Sequence, residues 1–120
     1  MHPRADTSIL AEIGGRLKAI RLAHGLTQAD VAASLGVDQS LWSKWERGQR
    51  APDLLRLMEF ARRAGISIEM ICTGAPFRVH PDMHDKLRDL AKINSSFVLR
   101  PLESEPYFAD GFHVKGLKRL

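Results

Sequence analysis

The stretch that most constrains this chain is residues 27–48, TQADVAASLGVDQSLWSKWERG. Thr27 followed by Asp30 has the spacing of a capping box, which opens a helix. Val31, Ala32 and Leu35 then share one side of that helix. Gly36 supplies the turn, and Asp38 stands where the cap of a following helix belongs. Trp42 and Trp45, at i and i+3, share a face of this next helix, and Gly48 closes it. Two helices packed steeply across so short a turn need a small residue where they touch and a turn residue that accepts positive φ. Ala32 meets the first need and Gly36 the second, while Val31, Leu35, Val37, Trp42 and Trp45 are the apolar anchors.

The flanking sequence reads as support for that pair. Thr7 and Ser8 are candidate caps for a first helix, whose Ile13, Leu17 and Ile20 form a stripe at i, i+4 and i+7. Gly14 and Gly15 interrupt it, each at a cost of about 1 kcal/mol against Ala. They signal either a frayed or kinked turn or a close helix–helix approach, and the sequence leaves both open. His24-Gly25 ends this helix. Pro52 places residues 49–52 in a loop, and Asp53 caps a fourth helix with a broad apolar face of Leu54, Leu57, Met58, Phe60 and Ala61. Arg62-Arg63, a solvated pair, complement the dipole at its end, and Gly65 terminates it. Ser67 caps a short fifth helix running through Cys72 to Gly74. Five helices with short connections describe a compact all-α domain over residues 1–74.

Residues 75–120 form a C-terminal extension. Pro76 and Pro81 bracket a linker, and a sixth helix from Asp82 to about Ile93 carries Met83, Leu87 and Leu90 in a stripe. Phe97-Val98-Leu99 and the alternation around Phe112 and Val114 read as short strands.

Composition narrows the function classes. The net charge of +4 favours polyanionic partners without requiring them. Cys72 is the single cysteine, so no intramolecular disulfide or CxxC metal pair can form, which suits a reducing cytoplasm. The residue reads as a small core hydrophobe. The opening MHPRADTSIL lacks the apolar run of a signal peptide, and no stretch approaches the roughly 20 apolar residues that span a bilayer. His80, Asp82, His84 and Asp85 are the nearest thing to a metal or acid–base cluster, but His84 and Asp85 diverge on a helix. No activated nucleophile or phosphate loop is present, so neither an enzyme nor a cofactor is expected.

What remains is the outward face of the third helix. With Trp42 and Trp45 turned inward, Ser40, Ser43, Lys44 and Arg47 point outward, and Gln39 lies at the N-terminal end. A Gln amide can pair bidentately with adenine in the major groove, Lys44 can reach guanine or a phosphate, and Leu41 on the flank can pack on a thymine methyl. Gln28 begins the second helix, where side-chain and backbone donors together can hold a phosphate.

The runs RLKAIRLAHGLTQADVAASLGV, WERG and GISIEMICTG resemble the lambda-repressor-like helix-turn-helix domain of the Cro and Xre regulators over residues 9–74. The resemblance implies a five-helix DNA-binding domain that docks its third helix in the major groove of double-stranded DNA as a homodimer. By position it puts base reading on Gln39, Ser40 and Lys44 and phosphate contacts on Gln28, Ser43 and Arg47 or Arg50. It also implies an ion pair between Arg21 and Glu46. Leu41 stands where a small polar residue is common, both tryptophans are larger than the usual aliphatic residues, and Asp38 brings a negative charge towards the DNA. The expected function is therefore a transcriptional regulator, a repressor acting by operator occupancy, with the extension as the dimerisation segment. The rival reading is an antitoxin-type protein whose tail binds a partner protein.

Overall fold

The computed structural model describes residues 3–75 and 81–93. They form six helices: α1 Pro3–Ala23, α2 Gln28–Leu35, α3 Gln39–Glu46, α4 Leu54–Ala64, α5 Ile68–Thr73 and α6 Pro81–Ile93. The expected strands around Phe97 and Phe112, the linker from Pro76 to His80 and the part of the tail beyond Ile93 lie outside the described residues.

Local chemistry sets most helix ends. The Asp30 N–H donates to Thr27 Oγ1 at 3.0 Å, and the Thr27 N–H donates to Asp30 Oδ2 at 2.9 Å, completing the capping box of α2. Asp53 Oδ2 accepts from the Arg56 N–H and Ser67 Oγ from the Met70 N–H, opening α4 and α5. Asp38 differs from expectation. It occupies the N-cap position of α3 with extended backbone, but its side chain makes no cap hydrogen bond. The first helix also begins earlier than Thr7 and Ser8 suggest. Among the described residues it runs back to Pro3.

The core is built where α1, α2, α3, α4 and α5 converge. Leu17, Val31, Trp42, Trp45, Phe60 and Ile71 are its largest fully buried side chains. Trp42 meets Trp45 edge-on, with ring centroids 5.7 Å apart, and Phe60 at 5.1 Å. Ile13 and Ile20 are partly buried against this cluster. The apolar face of α4 is narrower than its sequence suggests. Leu57, Phe60 and Ala61 are buried, but Leu54 and Met58 are 61% and 51% exposed, and so is Leu55. Residues 57, 60 and 61 point at the neighbouring helices, whereas 54 and 58 sit on a flank that no described helix covers.

Gly14 and Gly15 part company. A Cβ on Gly14 would lie 2.5 Å from the Trp45 carbonyl oxygen and closer still to that of Glu46, whereas one on Gly15 would meet nothing within 4 Å. Gly14 is therefore the point where α1 presses against the end of α3. Arg16 ties α1 to α5, donating from Nη1 to the Ile71 and Cys72 carbonyls at 3.2 Å each. Burial pushes the Cys72 thiol up, against the opposing charge of Arg16.

Among the described residues the sixth helix contributes none to this core. Its Met83 and Leu90 are exposed and Leu87 is half-buried. Among the described residues no helix is long and apolar enough to cross a membrane, and no three His, Cys, Asp or Glu side chains cluster to hold a metal ion.

Candidate nucleic-acid interface

The geometry of the site starts from the turn. Gly36 adopts φ 67°, and Val37 donates its N–H to the Ala32 carbonyl at 2.9 Å. The chain thus leaves α2 and enters α3 within residues 36–38, with Ala32 buried at the contact. Trp42 and Trp45, 1% and 2% exposed, fix the rotation of α3 about its axis. Once that inner face is fixed, the opposite face must point to solvent.

Gln39, Ser40 and Lys44 are exposed on that face, and Ser43 is half-buried beside them. Leu41 is half-buried, packed against the core and lining a shallow groove with Val37, Trp45 and Arg56, so it presents an edge rather than a whole side chain. Arg47 is exposed, its Nε donating to the Ser43 carbonyl at 3.3 Å. Arg50 is exposed in the loop beyond. Lys44, Arg47 and Arg50 thus put three cations near the C-terminal end of α3, a favourable charge for a polyanion. Asp38, exposed at the opposite end of α3, has the unfavourable sign.

Beneath this face lies a polar centre on Glu46, itself only 8% exposed. Arg21 clamps its carboxylate bidentately, Nε to Oε2 at 2.6 Å and Nη2 to Oε1 at 3.0 Å. Arg21 also donates from Nη1 to the Leu26 carbonyl at 2.9 Å. Two further donors converge. The Trp42 indole N–H reaches Glu46 Oε2, and Gln28 Nε2 reaches Oε1 at 3.0 Å. Burial alone would raise the Glu46 carboxyl; the hydrogen bonds from Arg21, Gln28 and Trp42, with the Arg21 charge, outweigh it and hold the group below its ordinary range. The carboxylate is therefore ionised at neutral pH. Among the described residues no buried side-chain nitrogen or oxygen lacks a partner.

Sequence alone predicts Trp42 as pure core and Gln28 as pure surface, so it does not show their bonds to Glu46. One signal was available: Trp42 and Glu46 are four apart on α3 and so share a side of the helix. Gln28 had no such signal, because its approach to Glu46 depends on the angle between α2 and α3.

Comparison with known proteins bears on the domain as a whole. A helix-turn-helix family model matches residues 17–71. An uncharacterized HTH-type transcriptional regulator of Sinorhizobium fredii, y4dJ, is 37% identical over 60 residues, which is 49% of this chain and 78% of that protein. The SPbeta prophage-derived uncharacterized HTH-type transcriptional regulator YonR of Bacillus subtilis is 33% identical over 61 residues, 51% of this chain and 56% of that protein. Among solved structures, the restriction-modification controller protein C.AhdI from Aeromonas hydrophila is 34% identical and superposes with a TM-score of 0.48, covering 52% of this chain and 94% of that one. The buried inner face of α3, the tight turn before it, the helix-turn-helix model and the match to the Sinorhizobium fredii regulator agree: the chain belongs to the helix-turn-helix transcriptional regulators of the Cro/Xre type, which are DNA-binding proteins.

Proposed function

We propose that this regulator is a repressor that occupies an operator as a homodimer, with α3 of each copy in the major groove. The observation that carries the reading is the division of α3, whose Trp42 and Trp45 are buried while Gln39, Ser40 and Lys44 are exposed. Gln39, Ser40 and Lys44 read base edges, with Leu41 contributing an apolar edge to a thymine methyl. Gln28, Ser43, Arg47 and Arg50 hold phosphates and set the register. Two-fold pairing follows from size: a helix of eight residues spans about 12 Å and meets few base pairs, so a second copy is needed for useful specificity. Residues 1–74 form the DNA-binding domain. Residues 75–120 are the dimerisation segment, and the exposed Met83 and Leu90 of α6 support that assignment.

The test is selection of bound sequences from random DNA by the full chain. Two half-sites in two-fold relation, about one helical turn apart, are expected. The Gln39→Ala and Lys44→Ala substitutions together should abolish the preference, each specific base contact being worth ~1–3 kcal/mol. A lone, asymmetric half-site would refute the homodimer, and unchanged selection by the double variant would refute the reading face. Repression is checked by placing the selected site over a promoter and measuring transcription with and without the protein.

A further inference from the structure

We propose that Glu46 is a positioning residue for the DNA-backbone contact of Gln28, so that the phosphate contact of α2 and the reading helix α3 act as one coupled unit. The inference rests on the proposed role of Gln28 and goes beyond it by identifying what orients that side chain.

The argument begins with the capacity of a carboxylate. Two oxygens offer about four acceptor sites. Glu46 fills them with Arg21 Nε and Trp42 Nε1 on Oε2, and with Arg21 Nη2 and Gln28 Nε2 on Oε1. An ionised carboxylate can only accept. The Gln28 amide must therefore turn its nitrogen inward, which settles its orientation. One N–H of that nitrogen is committed to Glu46, leaving the second N–H and the carbonyl oxygen for other partners.

Gln28 is the first residue of α2, where helix geometry leaves the backbone N–H groups of residues 28 and 29 without intrahelical partners. Thr27 Oγ1 takes the N–H of Asp30. The second amide N–H of Gln28 adds a side-chain donor to that pair of backbone donors. Glu46 cannot touch DNA itself: it is 8% exposed and its carboxylate is taken up by Arg21, Trp42 and Gln28. Its effect on the phosphate passes through Gln28. Because Glu46 belongs to α3, any shift of the reading helix moves the acceptor that holds Gln28.

The test is a double-mutant cycle on the full chain. Gln28→Ala should weaken DNA binding about tenfold, which is ~1.4 kcal/mol. The second arm replaces both Arg21 and Glu46 with Met, which removes the pair without stranding a buried charge. In that background, once circular dichroism shows the fold intact, Gln28→Ala should change affinity by less than about twofold, since the amide is no longer held. Trp42→Phe removes a donor only from Oε2 and should leave the tenfold effect in place. An undiminished tenfold effect in the Met/Met background would overturn positioning while leaving the phosphate contact standing. No effect of Gln28→Ala in the native background would overturn the contact, and the proposal with it.

Should the Met/Met variant not fold, the side-chain amide signals of Gln28 in the wild-type protein decide the matter. One proton protected from exchange by Glu46, with the other shifting when DNA is added, is the expected signature. Two equally exchanging protons, or two that shift together, would refute it.

Discussion

Replacing Gly14 and Gly15 with alanine, one at a time, should give opposite results at neighbouring positions. In helix propensity alone, either change should stabilise α1 by about 1 kcal/mol. Gly15 is exposed and its new methyl would meet nothing within 4 Å, so Gly15→Ala should realise most of that gain. Gly14 is buried, and its methyl would sit 2.5 Å from the Trp45 carbonyl oxygen and closer to that of Glu46. Both obstacles are backbone atoms at the end of α3, so no rotamer change relieves the clash. Overpacking of this kind costs ~1–3 kcal/mol, and a backbone obstacle puts it at the upper end. Subtracting the propensity gain leaves Gly14→Ala about 2 kcal/mol less stable than the parent, and about 3 below Gly15→Ala. For a domain of this size each 1 kcal/mol moves Tm by roughly 4–8 °C, so the two variants should differ by more than about 10 °C. Urea titration and thermal melts of the full chain measure this directly. Gly14→Ala should also weaken DNA binding, because relief of the clash displaces α3, whereas Gly15→Ala should not. If Gly14→Ala proves as stable as Gly15→Ala, the close approach of α1 to α3 is refuted.

Two further outcomes follow from the same geometry. Gly36→Ala adds a methyl that would meet nothing within 4 Å yet must adopt φ 67°, so it should cost ~1–2 kcal/mol in a urea melt from backbone strain alone; a loss below a few tenths would refute the turn geometry. Glu46 has a folded-state pKa held below its ordinary value of 4.5, so its network contributes fully above that value and is lost as pH falls through the lower, folded value. Replacing both Arg21 and Glu46 with Met should therefore flatten the fall in stability on the acid side of about pH 4.5, leaving its slope near neutrality unchanged. An identical acid limb in parent and variant would refute the assignment.

How much of this was legible in the sequence varies by residue. The capping interactions of Thr27, Asp53 and Ser67 and the positive φ of Gly36 are decided within a few residues of chain, and residue type suffices to read them. Asp38 has the right type for a cap and the right position, yet its carboxylate makes no such bond. Helical periodicity correctly picks out Leu57, Phe60 and Ala61, but it cannot tell which apolar residues at the margin of the stripe find a neighbour. That is why Leu54 and Met58 read as core and are exposed.

The site divides in the same way. That α3 turns Trp42 and Trp45 inward and offers Gln39, Ser40 and Lys44 outward is a consequence of helical spacing, so the sequence alone determined it. It also supplied the resemblance that placed Arg21 opposite Glu46. Only the tertiary structure decided between the two readings of Gly14, made Leu41 half-buried, and brought Gln28 and Trp42 onto the Glu46 carboxylate. The physical reason is range. Caps, turns and helix faces are set by atoms a few residues apart, whereas a packed contact depends on the angle and distance between helices. No single helix specifies those; they emerge when five of them close around one core.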